Sequence, residues 1–268
     1  MKRPDVKKPS LKRHSLKRPS MKRFLIGLLL VSFSGFGFAY TPSTYSSLLG
    51  TYVVDSGFVD YDAWMANPDD VAKLQGFIDE MATYDPSGLE REAELAFWIN
   101  AYNAITLNEV LKRYPLETVR PKFLGLPVTS FFTKKEHTVN GEAYSLDDIE
   151  NNVLRKLGEP RIHFAINCAS TSCPVLRPEA YRADVLSQQL DEQAVTFIGD
   201  PARNRFDAET KQASLSQIFD WFKGDFDAVG GVPSFLSQYA TGDAKTVLES
   251  DQLNIEYLTY NWSLNRAQ

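Results

Sequence analysis

Two cysteines, Cys168 and Cys173, and one histidine, His163, share a single stretch, RIHFAINCASTSCPVL, running from Arg161 to Leu176. Thiol chemistry needs a cysteine whose thiolate fraction is raised by a nearby base or cation. The apolar run Ile162 to Ile166 reads as a strand that feeds a loop of small polar residues closed by Pro174. A rigid element ending in a loop is a common way to present a reactive group. Beyond residue 39 the only histidines are His137 and His163, and both precede the cysteines. A Cys–His pair here must therefore run His-then-Cys, the reverse of papain-like and ordinary transglutaminase-like enzymes. On a regular strand an offset of five puts His163 and Cys168 on opposite faces, so they meet only if the strand ends or bulges near Asn167.

Other chemistries compete for these residues. Two cysteines in an oxidising compartment default to a disulfide, and four intervening residues allow a Cys168–Cys173 bridge if the loop turns back. Zinc is disfavoured because C-x4-C is wider than the usual ligand spacing and the remaining ligands would have to be His163 and His137. No metal site is therefore assigned. A histidine alternating with small residues on a strand is often a satisfied core or rim group rather than a base. The acid pairs Asp69-Asp70 and Asp147-Asp148 read as helix-start residues complementing the dipole. No phosphate-cradling loop, dinucleotide fingerprint or serine elbow appears, so no cofactor is implied.

The elements that must position the stretch are mostly helices. Glu92 to Arg113, EAELAFWINAYNAITLNEVLKR, is apolar nearly all round past Leu95 and predicts a helix central to the core. Asn100 and Asn103 interrupt it on one face, and each needs specific partners, because a buried unpaired amide costs about 1–3 kcal/mol. They either tie loops to the core helix or orient a polar group in a site. Asn67 to Thr83 has amphipathic spacing, and a shorter helix is expected around Tyr45 to Val53. Phe131 to Tyr144 predicts a hairpin turning at Asn140-Gly141. Ser145 opens the helix SLDDIENNVLRKLG with a capping box to Asp148, and Glu150 lies at the margin of its apolar face. Glu179 to Ile198 reads as helix, Arg205 to Leu215 as a second hairpin, SQIFDWFKGDF as a helix from Ser216, and Ile255 to Tyr260 as a last strand. The expected class is α+β, a single helix-rich domain over 40–268 with a small, mainly antiparallel sheet. A cysteine-protease-like or transglutaminase-like arrangement is one version of that class.

The first 39 residues stand apart. Met1 to Arg23 holds ten Lys or Arg and one acid, Phe24 to Phe38 is uncharged and apolar, and Gly37-Phe38-Ala39 supplies small residues. That sequence of features describes a secretory signal, too short in its apolar part for a membrane span. Met21 begins a compact signal of its own, which makes it the expected start and residues 1–20 an artefact of start-site choice rather than part of the leader beginning at Met1. The whole chain carries −5, and residues 40–268, with 19 basic and 33 acidic side chains, carry −14. Such a balance argues against nucleic acid or an anionic membrane as partner. After leader removal no stable membrane insertion is expected, and the compartment is periplasmic or secreted.

Three motifs, AFWINAYNAITL (Ala96 to Leu107), YSLDDIE (Tyr144 to Glu150) and RIHFAINCASTSCPVLRPE (Arg161 to Glu179), resemble the bacterial exported family catalogued as domain of unknown function five-four-seven. SQIFDWFKGDF and YLTYNWSLN are similar to that family's tail. The resemblance draws attention to Asn100, Tyr102, Asn103, Glu150, His163, Cys168 and Cys173-Pro174, and implies that the first thiol matters more than the second. It also marks a departure at Asn151, where the family often has histidine, so any activity that depends on that histidine is lost or altered here. The expected function is an exported thiol-dependent hydrolase or acyl transferase. In it Cys168 attacks an acyl carbon, His163 is the base and Glu150 orients the imidazole. Asn100, Asn103 or Asn167 would bind substrate or donate to an oxyanion. The substrate is an unspecified small molecule or peptide. The alternative is a non-catalytic periplasmic binding or accessory protein with a Cys168–Cys173 disulfide.

Overall fold

The helix Arg91–Arg113 is the axis of the molecule, and every residue from Leu95 to Leu111 along it is buried. Glu92 and Glu94 in its first turn and Lys112 and Arg113 in its last complement the dipole. A computed structural model describes residues 41–267, and the expected leader lies outside the described residues. Against this axis packs Pro68–Thr83, and Ser43–Tyr52 packs in turn on that helix. The first of these begins with Pro68 behind an Asn67 cap and buries Leu74, Phe77, Ile78 and Met81, the helical stripe expected from the spacing. None of the helices among the described residues is long and apolar enough to cross a membrane.

The strands form three small sheets rather than one. β1 (Lys122–Phe123) and β2 (Leu126–Pro127) make an exposed antiparallel hairpin. β3 (His137–Val139) and β4 (Glu142–Tyr144) make the hairpin expected at Asn140-Gly141, shorter than the span from Phe131 because Ser130–Thr133 is helical. Its turn residues Asn140 and Gly141 have φ of 49° and 74°, the left-handed pair that a two-residue hairpin turn requires. β5 (Arg205–Asp207) pairs antiparallel with β6 (Gln212–Leu215), whereas β6 pairs parallel with β7 (Asn254–Tyr257). With three antiparallel pairings and one parallel pairing among the described strands, the class is the α+β, mainly antiparallel one expected; the helices between residues 218 and 248 provide the crossover that the parallel pair needs.

Three further expectations change. The stretch Pro160–Phe164 is a 3-10 helix, not a strand. Pro160 sits in its first turn and Glu159 caps the Arg161 N–H, both of which are helix-start signals. Ile162, Ala165 and Ile166 face one apolar cluster and Phe164 the other, so the run is apolar on all sides and its composition hides its period. The helix opened by the Ser145–Asp148 capping box does not stay regular. It passes from Leu146–Asp148 into a π turn, Ile149–Val153, then a 3-10 turn, Leu154–Leu157, and stops at Gly158 with φ 66°. Finally, residues 179–182 are not helical; the helix proper is Leu186–Gly199, entered through the 3-10 turn Ala183–Val185.

Two hydrophobic clusters result. The larger gathers around the core helix, and the smaller is built from Phe197, Phe219, Phe226, Phe235 and their neighbours in the C-terminal half. Residues 261–267 return to the larger cluster as an irregular extended segment. Leu264 donates to Glu117, Asn265 to Ala169 and Ala267 to Val59, while Thr171 donates back to Ser263.

Candidate active site

Asn167, immediately ahead of Cys168, is fixed from four directions. Its N–H donates to Asn103 Oδ1 at 2.7 Å and its side-chain amide to the Pro174 carbonyl at 2.6 Å. Its Oδ1 accepts from the Ala169 N–H at 2.8 Å and from Asn265 Nδ2 at 3.3 Å, and Asn265 in turn accepts from the buried Tyr61 hydroxyl. Ala169 is held at φ 60°, a conformation that costs a non-glycine residue about 1–3 kcal/mol and persists only where its surroundings impose it. On the far side of the loop buried Arg203 donates to the Cys173 and Thr171 carbonyls, at 2.7 and 3.0 Å, and pairs with Asp200. The loop is thus a rigid platform.

Cys168 and Cys173 are joined across it by a disulfide, with 6.1 Å between their Cα atoms. Cys173 is buried, while Cys168 is partly exposed. The Cys168 sulfur lies 3.0 Å from Ser170 Oγ and 3.3 Å from the Tyr260 hydroxyl.

Both cysteines line a cavity of about 240 Å³ that is partly open to solvent. Tyr102 of the core helix and Glu150 of the π turn line it together with His163. The opposite wall is aromatic and comes from the C-terminal half: Trp221, Phe222, Tyr260 and Trp262. Their rings pack on one another, Tyr260 to Trp262 at 4.5 Å and Trp221 to Tyr260 at 4.9 Å between centroids. A π turn inside a helix commonly marks a functional position, and here it carries Glu150.

His163 is buried and stacked on Phe222 at 4.1 Å. Its Nε2 lies 2.8 Å from Asp225 Oδ2, and Arg155 grips the same carboxylate with Nε at 2.6 Å and Nη2 at 2.8 Å. Hydrogen bonds from His163 and Arg155 hold Asp225 far below the usual carboxylate range, so it is ionised and can only accept. Nε2 must therefore carry the proton. Burial lowers the His163 pKa despite Asp225, which leaves the ring neutral near pH 7 with its lone pair on Nδ1. That Nδ1 is buried and has no hydrogen-bond partner.

Glu150 is pushed up to about 7, first by burial at the cavity wall and then by the negative charges of Asp147 and Asp225, with Arg155 opposing. Such a carboxyl exchanges its proton near neutrality, as a catalytic acid must. Among the described residues no hydrogen bond links it to His163. The imidazole is oriented by Asp225, and the expected Glu150 role is corrected accordingly. Sequence reasoning missed Asp225, which sits 62 residues beyond His163. The signal available was its place in SQIFDWFKGDF, a segment singled out in the sequence by resemblance alone.

The three asparagines serve the framework. Asn100 donates to the Tyr181 carbonyl at 2.8 Å and accepts from the Tyr181 N–H at 2.9 Å. Asn103 donates to the Ala165 carbonyl at 2.9 Å while accepting from Asn167. With these amides engaged and none of the three lining the cavity, the oxyanion or substrate role expected for them is replaced by loop tethering. Asn151 accepts from Arg155 Nη1 at 2.8 Å, in the shell behind Asp225. His137 is elsewhere, buried on β3 beside Glu109 and Glu136; those carboxylates are already bridged by Arg113.

Residues 86–198 match the family model described as "Protein of unknown function, DUF547". The matched segment includes Asn100, Asn103, Glu150, His163, Asn167 and both cysteines; Asp225 and the aromatic wall lie beyond it. No curated protein and no solved structure matches the chain.

Proposed function

We propose that this protein is a thiol-dependent hydrolase or acyl transferase acting outside the cytoplasm, with Cys168 as nucleophile and the disulfide as its latent form. The observation that carries the reading is one cavity whose lining includes Cys168, His163 and Glu150, with the imidazole tethered by Asp225. Activation begins when a dithiol reductant takes the two sulfur atoms to thiols and is itself oxidised to a disulfide. The Cys168 thiol then gives its proton to His163 Nδ1, and the thiolate bonds to the acyl carbon. The leaving group departs with its electron pair and is protonated by the imidazolium or by Glu150, and water or another acceptor discharges the thioester. Asp225 stabilises the imidazolium throughout without taking its proton. A cysteine protease-like chemistry in the order His-then-Cys is the outcome.

Cys173→Ser, which frees Cys168 without reductant, provides the test. Its Cys168 should react with iodoacetamide at pH 6.5 at least tenfold faster than glutathione, and His163→Gln should remove that advantage. A rate equal to that of glutathione would end the catalytic reading.

The closed disulfide itself favours a second reading, a non-catalytic binding or accessory protein whose loop the bridge shapes. Ligand binding by the oxidised protein, undiminished in Cys168→Ser and with no acyl-enzyme formed by the reduced one, would select it.

A further inference from the structure

Arg120 differs from most arginines around the fold, and unlike Arg91, Arg205 and Arg266, which also lack a paired carboxylate, it lines the cavity. Arg113, Arg155, Arg161, Arg177, Arg182 and Arg203 are each paired with a carboxylate. The Arg120 guanidinium lies 4.7 Å over the Trp262 ring and on the cavity wall. No acceptor among the described residues takes a hydrogen bond from it. Its position is built rather than incidental. The Arg120 N–H donates to Thr118 Oγ1 at 3.2 Å, and the same hydroxyl donates to the Trp262 carbonyl at 2.7 Å. One threonine thus ties together the backbones that carry the cation and the ring beneath it.

A guanidinium has five N–H donors in a planar fork that matches a carboxylate. One presented to a confined, largely aromatic space with no partner of its own is a ready receptor for an anionic group. The remaining charges of the cavity sharpen this. Asp147 also lines it and repels an anion from its side, as Glu150 does once ionised, so a ligand carboxylate is directed to Arg120. The volume of about 240 Å³ admits a chain of a few carbons.

We propose that Arg120 is the anion-recognising group of this cavity and that the acyl group delivered to Cys168 is short and ends in a carboxylate. The acyl part rests on the thiol-acyl reading above; the anion site does not.

The test therefore has two arms. In the first, Cys173→Ser protein is treated with p-nitrophenyl acetate or mono-p-nitrophenyl succinate. In each case the thiol proton passes to His163, sulfur bonds to the acyl carbon, and p-nitrophenolate leaves with the bonding pair. The succinyl ester should acylate Cys168 at least tenfold faster than the acetyl ester. Arg120→Gln should cut that ratio at least tenfold, and Arg120→Lys, which keeps the charge but not the fork, should retain part of it. In the second arm, succinate binding to the oxidised wild-type protein and to Cys168→Ser is followed by tryptophan fluorescence. Both should bind, and Arg120→Gln should weaken binding at least tenfold. Near-UV circular dichroism, with Arg120→Lys as the second variant, separates loss of the site from loss of the fold. Succinate binding that depends on Arg120, without acylation by either ester, would overturn the catalytic reading and leave the anion site standing. Cys168-dependent acylation with equal rates for the two esters, or succinate binding absent or indifferent to Arg120, would overturn the proposal.

Discussion

At the scale of single residues the site separates two proton carriers by environment. His163 is kept neutral by burial, whereas Glu150 is raised to about 7 by burial and by like charge. Asp225→Asn removes the negative charge behind the imidazole and frees the amide to favour the wrong tautomer. Alkylation of Cys168 in Cys173→Ser should then slow by about a hundredfold or more, checked by comparing pH–rate profiles. Glu150 carries a stability signature with a definite sign. Its folded pKa lies above the ordinary value of 4.5, so between about pH 4.5 and 7 the folded protein holds a proton that the unfolded chain has released. The Glu150 contribution to folding stability therefore falls as pH rises through that window and levels off above it. At one pKa unit per 1.36 kcal/mol the penalty reaches at most about 3 kcal/mol. Glu150→Gln should be more stable than wild type in denaturant titrations at pH 8, with the difference shrinking toward pH 4.5. A variant less stable at pH 8 would mean that the carboxylate is held by a favourable partner.

At the scale of elements, asparagines and glycines do the positioning. Asn100→Ala strands the Tyr181 N–H and carbonyl, both satisfied by that amide, and should cost about 2–4 kcal/mol in chemical denaturation. Gly57, at φ 74°, sits where a Cβ would overlap the Val175 side chain. Gly57→Ala should destabilise by more than about 2 kcal/mol, because strain and overlap add at one position. The helices with a single buried stripe, Pro68–Thr83 above all, were legible in the sequence, as were the Asn140-Gly141 hairpin and the Ser145 capping box. What failed was the reading of Arg161 to Ile166 as a strand, since a segment wedged between two apolar clusters has no polar face to reveal its period. The π turn at Ile149–Val153 was equally hidden, for it adds one residue to a turn without changing the composition.

At the scale of the whole molecule the cavity belongs to both halves of the chain. Its thiols, His163 and Glu150 could be picked out from local motifs, but Asp225 and the aromatic wall arrive from residues 218–262, and no spacing rule links them to Cys168. The oxidised loop offers a global test. A six-residue ring contributes about 2 kcal/mol on the chain-entropy account, while Asn167, Arg203 and Asn265 hold the same loop independently. Reduction should therefore lower stability by no more than about 2 kcal/mol and leave the far-UV and near-UV spectra folded. Unfolding on reduction would show the bridge to be the principal tie.

The threading of residues 261–267 past Val59, Glu117 and Ala169 also sets an order of events during synthesis. The earlier helices can collapse as they emerge, yet the aromatic wall and the backstop behind Asn167 are both missing until this stretch has left the ribosome. A chain without this stretch consequently has neither the Trp262 ring of the cavity nor the Asn265 amide behind Asn167, whatever the earlier helices have formed.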